Sequence, residues 1–223
     1  MARGSRSAQI PDEADSKSQR TRARILDAAA HVLSVKGYAG TRLSDVADYA
    51  GLQAPAIYYY FPSREDLIDE VMFAGIADMR RHLQEALDEL PDGTEPIDKI
   101  LAAVDAHLRH ELELSDYATA SIRNSGQIPE RLRTRQQKET NAYNALWLRL
   151  FSEAADAGQL RSDLEIRVAL GLVLGALNWT AEWWNPRRTS VDTVVANAQS
   201  FVRAGLSPAS APARRRRGSG SRR

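Results

Sequence analysis

Thr41-Arg42-Leu43-Ser44-Asp45-Val46-Ala47-Asp48-Tyr49-Ala50-Gly51-Leu52-Gln53-Ala54-Pro55-Ala56-Ile57-Tyr58-Tyr59-Tyr60-Phe61 reads as two short helices around one tight turn. Thr41 is placed to cap the first helix by accepting a hydrogen bond from an orphan amide. Leu43, Val46 and Ala47 fall on one face at the i, i+3, i+4 spacing. Gly51 supplies the left-handed backbone that ends this helix and turns the chain. The second helix begins near Gln53, and Pro55 is tolerated in a first turn whose amides have no intrahelical acceptor. Ile57 and Phe61, four apart, face inward and leave Tyr58, Tyr59 and Tyr60 to point elsewhere. A short helix anchored on one side and rich in hydroxyl-bearing aromatics on the other suits a DNA major groove. The stretch is therefore read as a helix-turn-helix. An ordinary αα-hairpin with a tyrosine-rich surface shares the pattern, and the flanking sequence separates the two.

Upstream, a first helix from Thr21 to Lys36 is closed by Lys36-Gly37-Tyr38, with Ile25, Leu26, Ala29, Val32 and Leu33 as its apolar stripe. Then come Gly40-Thr41-Arg42-Leu43-Ser44-Asp45-Val46-Ala47 and Ala50-Gly51-Leu52. Ile57-Tyr58-Tyr59-Tyr60-Phe61-Pro62-Ser63-Arg64-Glu65-Asp66-Leu67 opens a fourth helix, with Ser63 as its N-cap. In this order, residues from about Lys17 to Asp69 resemble the DNA-binding domain of the TetR family of bacterial transcriptional regulators. Gln53, Pro55, Tyr60 and Arg64 stand where that family often has Ser, Gly, His and Lys, a departure that alters which operator is read.

The resemblance implies an all-α fold. An N-terminal helix-turn-helix three-helix DNA-binding domain (17–65) is joined to a larger helical ligand-binding and dimerisation domain (66–206). Residues 1–16 are expected to form a disordered arm and 207–223 a disordered basic tail. That tail, with Arg214 to Arg217 and Arg222-Arg223, reads equally as added attraction for DNA or as a solubilising appendage. In the implied complex, Gln53, Ala54, Ala56 and Tyr59 face base edges at a helix opened by Pro55. Thr21, Thr41, Arg42, Tyr58, Tyr60 and Arg64 hold the phosphate backbone. Lys17, Arg20, Arg22 and Arg24 add basic charge at the start of the first helix. The partner is a double-stranded operator, read as a palindrome by two recognition helices of a homodimer.

Composition is compatible with this reading and decides little of it. The chain has 223 residues, 43% of them hydrophobic, a net charge of +1 and no cysteine. It can bury a core, it has no disulfide or thiolate metal site, and its basic residues must be judged by position. The absence of cysteine fits a reducing cytoplasm. No run is long and apolar enough to span a bilayer, and the polar N-terminus lacks the apolar core of a secretion signal.

After the turn signal Pro91-Asp92-Gly93 the chain reads as helical throughout. The expected helices run from Pro96 to Leu114, Asp116 to Ser125, Glu130 to Ala157, Asp163 to Trp184 and Ser190 to Ala204, with Asp163 as a cap. Leu170, Val173, Leu174 and Leu177, with Val191, Val194, Val195, Ala198 and Phe201, are expected to supply the surface through which the last two long helices pair in a homodimer, some of them serving instead as core of the same subunit. Gly171 and Gly175 would let helices approach closely.

The remaining signal is aromatic. Tyr117, Tyr143, Trp147, Asn178, Trp179 and Trp183, with Arg123, form the candidate ligand-binding set. Leu177-Asn178-Trp179-Thr180-Ala181-Glu182-Trp183-Trp184-Asn185-Pro186 resembles the corresponding stretch of TetR-type repressors of lipid and sterol catabolism, many of which respond to CoA thioesters. The implied effector is an acyl-CoA or related thioester, with Arg123, Arg131, Arg133 and Arg135 as candidate cations for its phosphates. The alternative is a regulator of an efflux system sensing hydrophobic or cationic drugs. Acidic residues lining an aromatic pocket would favour that alternative. His107, His110 and Glu111 read as a solvated helix face rather than a metal site. There is no glycine-rich phosphate loop and no nucleophile elbow, so no enzyme activity, catalytic residue or cofactor is expected. A helical structural protein that binds no DNA would leave residues 41–61 unexplained.

Overall fold

The structure is a computed structural model that describes the backbone of residues 13–208 and the side chains of 17–130 and 134–208. The expected disorder of residues 1–12 and 209–223, the side chains of Arg131 and Arg133, and the arginines of the tail lie outside the described residues. The described chain is helical, with α1 (Glu13–Gly40), α2 (Leu43–Ala50), α3 (Ala54–Tyr60) and α4 (Arg64–Asp88) making the first half. α5 (Pro96–Arg109) runs into a π-helical turn (His110–Leu114), followed by α6 (Asp116–Asn124) and α7 (Glu130–Asp156). α8 (Ile166–Asn178), the single turn α9 (Thr180–Trp183) and α10 (Val191–Leu206) complete it. No described helix is long and apolar enough to cross a membrane.

α1 begins at Glu13, well before the expected Thr21. No glycine or proline lies between Pro11 and Gly37, so nothing in the backbone stops the helix from extending upstream. Gly37 breaks it with φ 70° and ψ 174°. Gly51 ends α2 in the left-handed region, with φ 63° and ψ 40°, and its following residue returns an amide to Ala47. Ser63 caps α4, accepting a hydrogen bond from the Asp66 amide at 3.0 Å.

Three local expectations are corrected. Thr41 does not cap α2. It is only 3% exposed, and its hydroxyl instead donates to the Gly37 carbonyl at 2.8 Å, closing the turn behind it. Arg42 occupies the cap position without a side-chain bond. Asp163 does not cap α8 either. Glu165 does, accepting from the Arg167 and Val168 amides at 3.1 and 2.7 Å, while Asp163 pairs with Arg161. The helix expected from 96 to 114 widens at its end, where Ser115 N donates to His110 O, five residues back, before the chain extends.

Two apolar cores form. One gathers Ile25, Leu33, Val46, Ile57, Phe61, Leu67 and Met72 from α1 to α4, and it also takes in Ala120 and Ile128 from α6 and the turn after it. The other is built around Leu83, Ile100, Leu108, Trp147 and Phe151, from α4, α5 and α7, and is closed by α8 and α10. α4 contributes to both cores and physically connects the two halves. A Cβ at Gly75, midway along α4, would collide with the Tyr117 carbonyl oxygen, so α4 and α6 approach as closely as only glycine allows.

Candidate functional site

The outward surface of α2 and α3 follows from what they bury. Val46, Ala47 and Ala50 turn α2 inward, and Ile57 with Phe61 anchors α3. Arg42, Gln53, Pro55, Tyr58 and Tyr59 are consequently exposed, and Ala54, Ala56, Tyr60 and Thr21 are partly so. Tyr59 and Tyr60 meet edge to face with centroids 5.0 Å apart, which stiffens the aromatic end of α3. α3 thus presents Gln53, Pro55, Tyr58 and Tyr59 outward, opposite its buried Ile57.

Two of the expected backbone contacts sit elsewhere. Thr41 is buried, as described above. Arg64 points back into the protein. Its Nε donates to the Thr41 carbonyl at 2.8 Å, its Nη2 donates to the Tyr38 carbonyl, and its guanidinium lies 4.5 Å over the Tyr38 ring. A guanidinium matched to two carbonyls and an aromatic face braces a turn rather than reaching for phosphate. Arg22 is also engaged, with Glu70 at 3.1 Å and the Phe61 ring at 5.0 Å. His31 joins three helices: it stacks on Tyr49 at 4.3 Å and bonds Asp116 at 3.0 Å.

The expected ligand set divides into inward and outward members. Tyr143 and Trp147 lie on the buried face of α7, and Trp147 is wholly enclosed at 0% exposure. They meet His107, whose Nδ1 is 2.6 Å from the Tyr143 hydroxyl. His107 Nε2 in turn stands 3.3 Å from Glu111 Oε2, and Thr180 Oγ1 stands 3.5 Å from the same oxygen. His107, His110 and Glu111 are therefore not the solvated face that their spacing suggested; all three are buried. Burial pushes the Glu111 carboxyl above the usual carboxylate range, against the opposing effect of the His107 imidazole beside it. Glu111 Oε1 has no hydrogen-bond partner within the protein.

Trp179 and Trp183, at 65% and 55% exposure, point away from this cluster, as does Asn178. Tyr117 donates to Asp27 at 2.8 Å and packs against the first core. Arg123 pairs with Glu182 at 3.0 Å and donates to the Ser34 carbonyl at 2.6 Å. Arg135 pairs with Glu70 and Asp69 at 2.8 and 3.3 Å. An open groove of about 460 Å³ lies between α7 and α8, with Asn141, Asn144 and Arg167 at its rim and Leu148, Leu170 and Leu174 beneath. The sequence reading missed this groove, because its polar residues, Asn141 and Asn144 of α7 and Arg167 of α8, lie more than 20 positions apart in the chain.

The outward face of α8 is apolar. Leu172 is 71% exposed, Val168 and Trp179 are exposed beside it, and Phe201 of α10 is 75% exposed. Leu170, Leu177, Val191, Val194 and Val195, expected at a dimer surface, are instead buried within the subunit. α8 is apolar on both sides, so its periodicity did not tell the inner face from the outer. A Cβ at Gly171 or Gly175 would meet open space.

Comparison with known proteins adds two family matches. The model described as bacterial regulatory proteins, tetR family, matches residues 25–71, and the tetracyclin repressor-like C-terminal domain matches residues 93–206. The chain is 25% identical over 200 residues to the HTH-type transcriptional repressor KstR2 of Rhodococcus jostii, covering 87% of this chain and 95% of that one. It is 22% identical over 161 residues to the fatty acid metabolism regulator protein of Bacillus subtilis, covering 72% and 81%. The structure of AibR in complex with isovaleryl coenzyme A and operator DNA is similar in fold, with a TM-score of 0.72, 17% identity and coverage of 82% and 97%.

Proposed function

The chain belongs to the TetR family of bacterial transcriptional regulators, and from that membership we propose that it is a homodimeric repressor released from its operator by a small molecule. The observation that carries the DNA-binding part is the α3 surface: Ile57 and Phe61 lock the helix down, and Gln53, Tyr58 and Tyr59 stand out from it. Gln53 is suited to a base edge and the tyrosine hydroxyls to phosphate oxygens. One seven-residue helix reads few bases, whereas two of them one DNA turn apart read a palindrome. The exposed Val168, Leu172, Trp179 and Phe201 supply an apolar surface for pairing, and the open glycines of α8 allow a close approach.

For the effector we propose a CoA thioester. The groove between α7 and α8 sets Arg167, Asn141 and Asn144 over an apolar floor, which suits a molecule with phosphates at one end and an acyl chain at the other. Two relatives bear on this choice: one is named for fatty acid metabolism, and a structural neighbour is described with isovaleryl coenzyme A. Arg123 and Arg135, already tied to carboxylates, are poor candidates for the phosphates. A second reading, a hydrophobic or cationic drug, has Glu111 in its favour, since a carboxyl stands among His107, Tyr143 and Trp147. A ligand of either kind acts only through different affinities for the DNA-bound and released states.

Fluorescence anisotropy on the promoter DNA next to the protein's own gene tests the proposal. Protein is titrated in, then long-chain acyl-CoA, free CoA, the free fatty acid or a cationic dye is added. Release by the thioester alone is the expected result. Release by the dye alone moves the effector to the drug class, and binding that none of them disturbs removes both effectors while keeping the DNA partner.

A further inference from the structure

α1 is broken at Gly37, and the repair comes from the other half of the protein. In an unbroken helix the Tyr38 amide would donate to the Ser34 carbonyl, four residues back. With Gly37 at φ 70° and ψ 174°, the ladder is interrupted at that rung. Two consecutive residues of α6 supply the missing partners. Tyr38 N donates to Asn124 Oδ1 at 2.6 Å, and Arg123 Nη1 donates to Ser34 O at 2.6 Å. Asn124 is fully buried, and its amide nitrogen donates to Ala120 O and Leu33 O at 2.8 and 3.3 Å, which fixes the orientation of its oxygen. Beyond Tyr38 the turn leads straight into α2 and so into α3. Its far side is clamped by Arg64, which holds the Tyr38 and Thr41 carbonyls from α4.

Arg123 also faces the other way. Its Nε and Nη2 donate to Glu182 of α9 at 3.0 and 3.3 Å. α9 begins at Thr180, which stands against the buried Glu111. One arginine thus connects a turn beside the effector half's core to the Ser34 carbonyl of α1, just before the break. Ser121, three residues before Asn124, makes only a longer bond to Met72 O at 3.3 Å and serves as a control on the same helix.

We propose that Asn124 and Arg123 are positioning residues that replace the broken rung of α1 and so set the α1–α2 turn, and with it the helix-turn-helix, from the effector half. This rests on the reading of the protein as an effector-responsive DNA binder. The route enters the DNA-binding half at the end of α1, alongside the connection that α4 makes. A displacement of α6 or α9 loosens the turn.

The test compares the full-length wild type with Asn124→Asp, Arg123→Gln, Arg123→Lys and Ser121→Ala. Asn124→Asp removes the donor to Ala120 and Leu33 that orients the side chain, and sets an oxygen against those two carbonyls, so an acceptor is no longer held on the Tyr38 amide. Arg123→Gln leaves the buried asparagine intact, so it carries the test if Asn124→Asp does not fold. Amide hydrogen exchange is read helix by helix. The expected result is exchange about tenfold faster from Tyr38 to Leu52 in Asn124→Asp and Arg123→Gln, with α5 and α7 unchanged. Arg123→Lys, which retains a donor for Ser34, recovers part of the protection, and Ser121→Ala matches wild type. Operator affinity falls about tenfold in the same two variants while affinity for random DNA holds. A uniform rise in exchange through all helices, or unchanged exchange at Tyr38, overturns the proposal. If the wild type binds no DNA, the exchange result still decides whether α6 sets the turn, so the two failures are told apart.

Discussion

Trp147 and Trp183 are chemically the same side chain in opposite situations. Trp147, on the inner face of α7, is sealed among His107, Tyr143, Leu150 and Phe151. Trp183, on α9, is more than half exposed, as is Trp179 just before it. The sequence placed both in one ligand set because each is a large aromatic on a helix. The structure shows that the first fills a core with a buried polar chain running through it. The second stands largely in the open on a single helical turn. Residue type alone does not say on which side of its helix a tryptophan ends up; what packs against the helix does.

The largest effect that can break this contrast is a loss of core volume. Trp147→Ala is expected to lower folding stability by about 3–5 kcal/mol in urea unfolding, from lost burial and the cavity left behind. Trp183→Ala should change it by less than about 0.5 kcal/mol in the dissociated subunit. Equal losses would mean that the two sites are not different in kind.

The outer surface can be probed directly. Leu172→Glu places a charge in the middle of the apolar face of α8. In sedimentation the dimer is expected to weaken by about 2 kcal/mol or more, as a buried charge loses its water. The thermal midpoint of the subunit should barely move. An unchanged dimer would show that pairing does not use this face.

The inner cluster carries a pH signature. Burial raises the Glu111 pKa in the folded state, so the native protein holds that proton more tightly than the unfolded chain. The resulting stability is fully present below the ordinary glutamate range and is lost as pH rises through the raised value. Glu111→Gln keeps the neutral form at every pH. It is expected to flatten that part of the stability profile and to exceed wild type at its upper end, measured by urea unfolding across pH. A parallel offset with the slope intact would place the cause elsewhere.

The smallest stability effect belongs to the other outward aromatics. Tyr59→Ala removes an exposed ring from α3 and should shift unfolding by less than about 0.5 kcal/mol. Its cost should appear in operator anisotropy instead. A large stability loss there would make Tyr59 a structural residue and weaken the case that α3 holds its tyrosines out for DNA.

The helix-turn-helix was legible because its signals are local. Gly51 needs a positive φ, Pro55 needs a first turn, and Ile57 with Phe61 needs one buried face, each within a few residues of chain. The capping serine at 63 is of the same kind. The partners of Arg64 lie across the fold, at Tyr38 and Thr41, 26 and 23 residues away, whereas the Thr41 hydroxyl had two local choices and turns back four residues to Gly37 instead of forward to cap α2. Asn124 gave no local signal at all, since an asparagine near a helix end is ordinary and its partner amide is 86 residues distant.

By itself, then, the sequence determined an all-helical chain, the place of its helix-turn-helix and the family it belongs to, because helix periodicity, caps and turns are short-range requirements written in neighbouring residues. Tertiary structure alone decided which face of α8 is outside, which tryptophans are core, that His107 and Glu111 are buried, and which α6 side chains complete α1. Those are properties of pairs of surfaces, and an apolar or hydrogen-bonding face has no inside until a second element is laid against it.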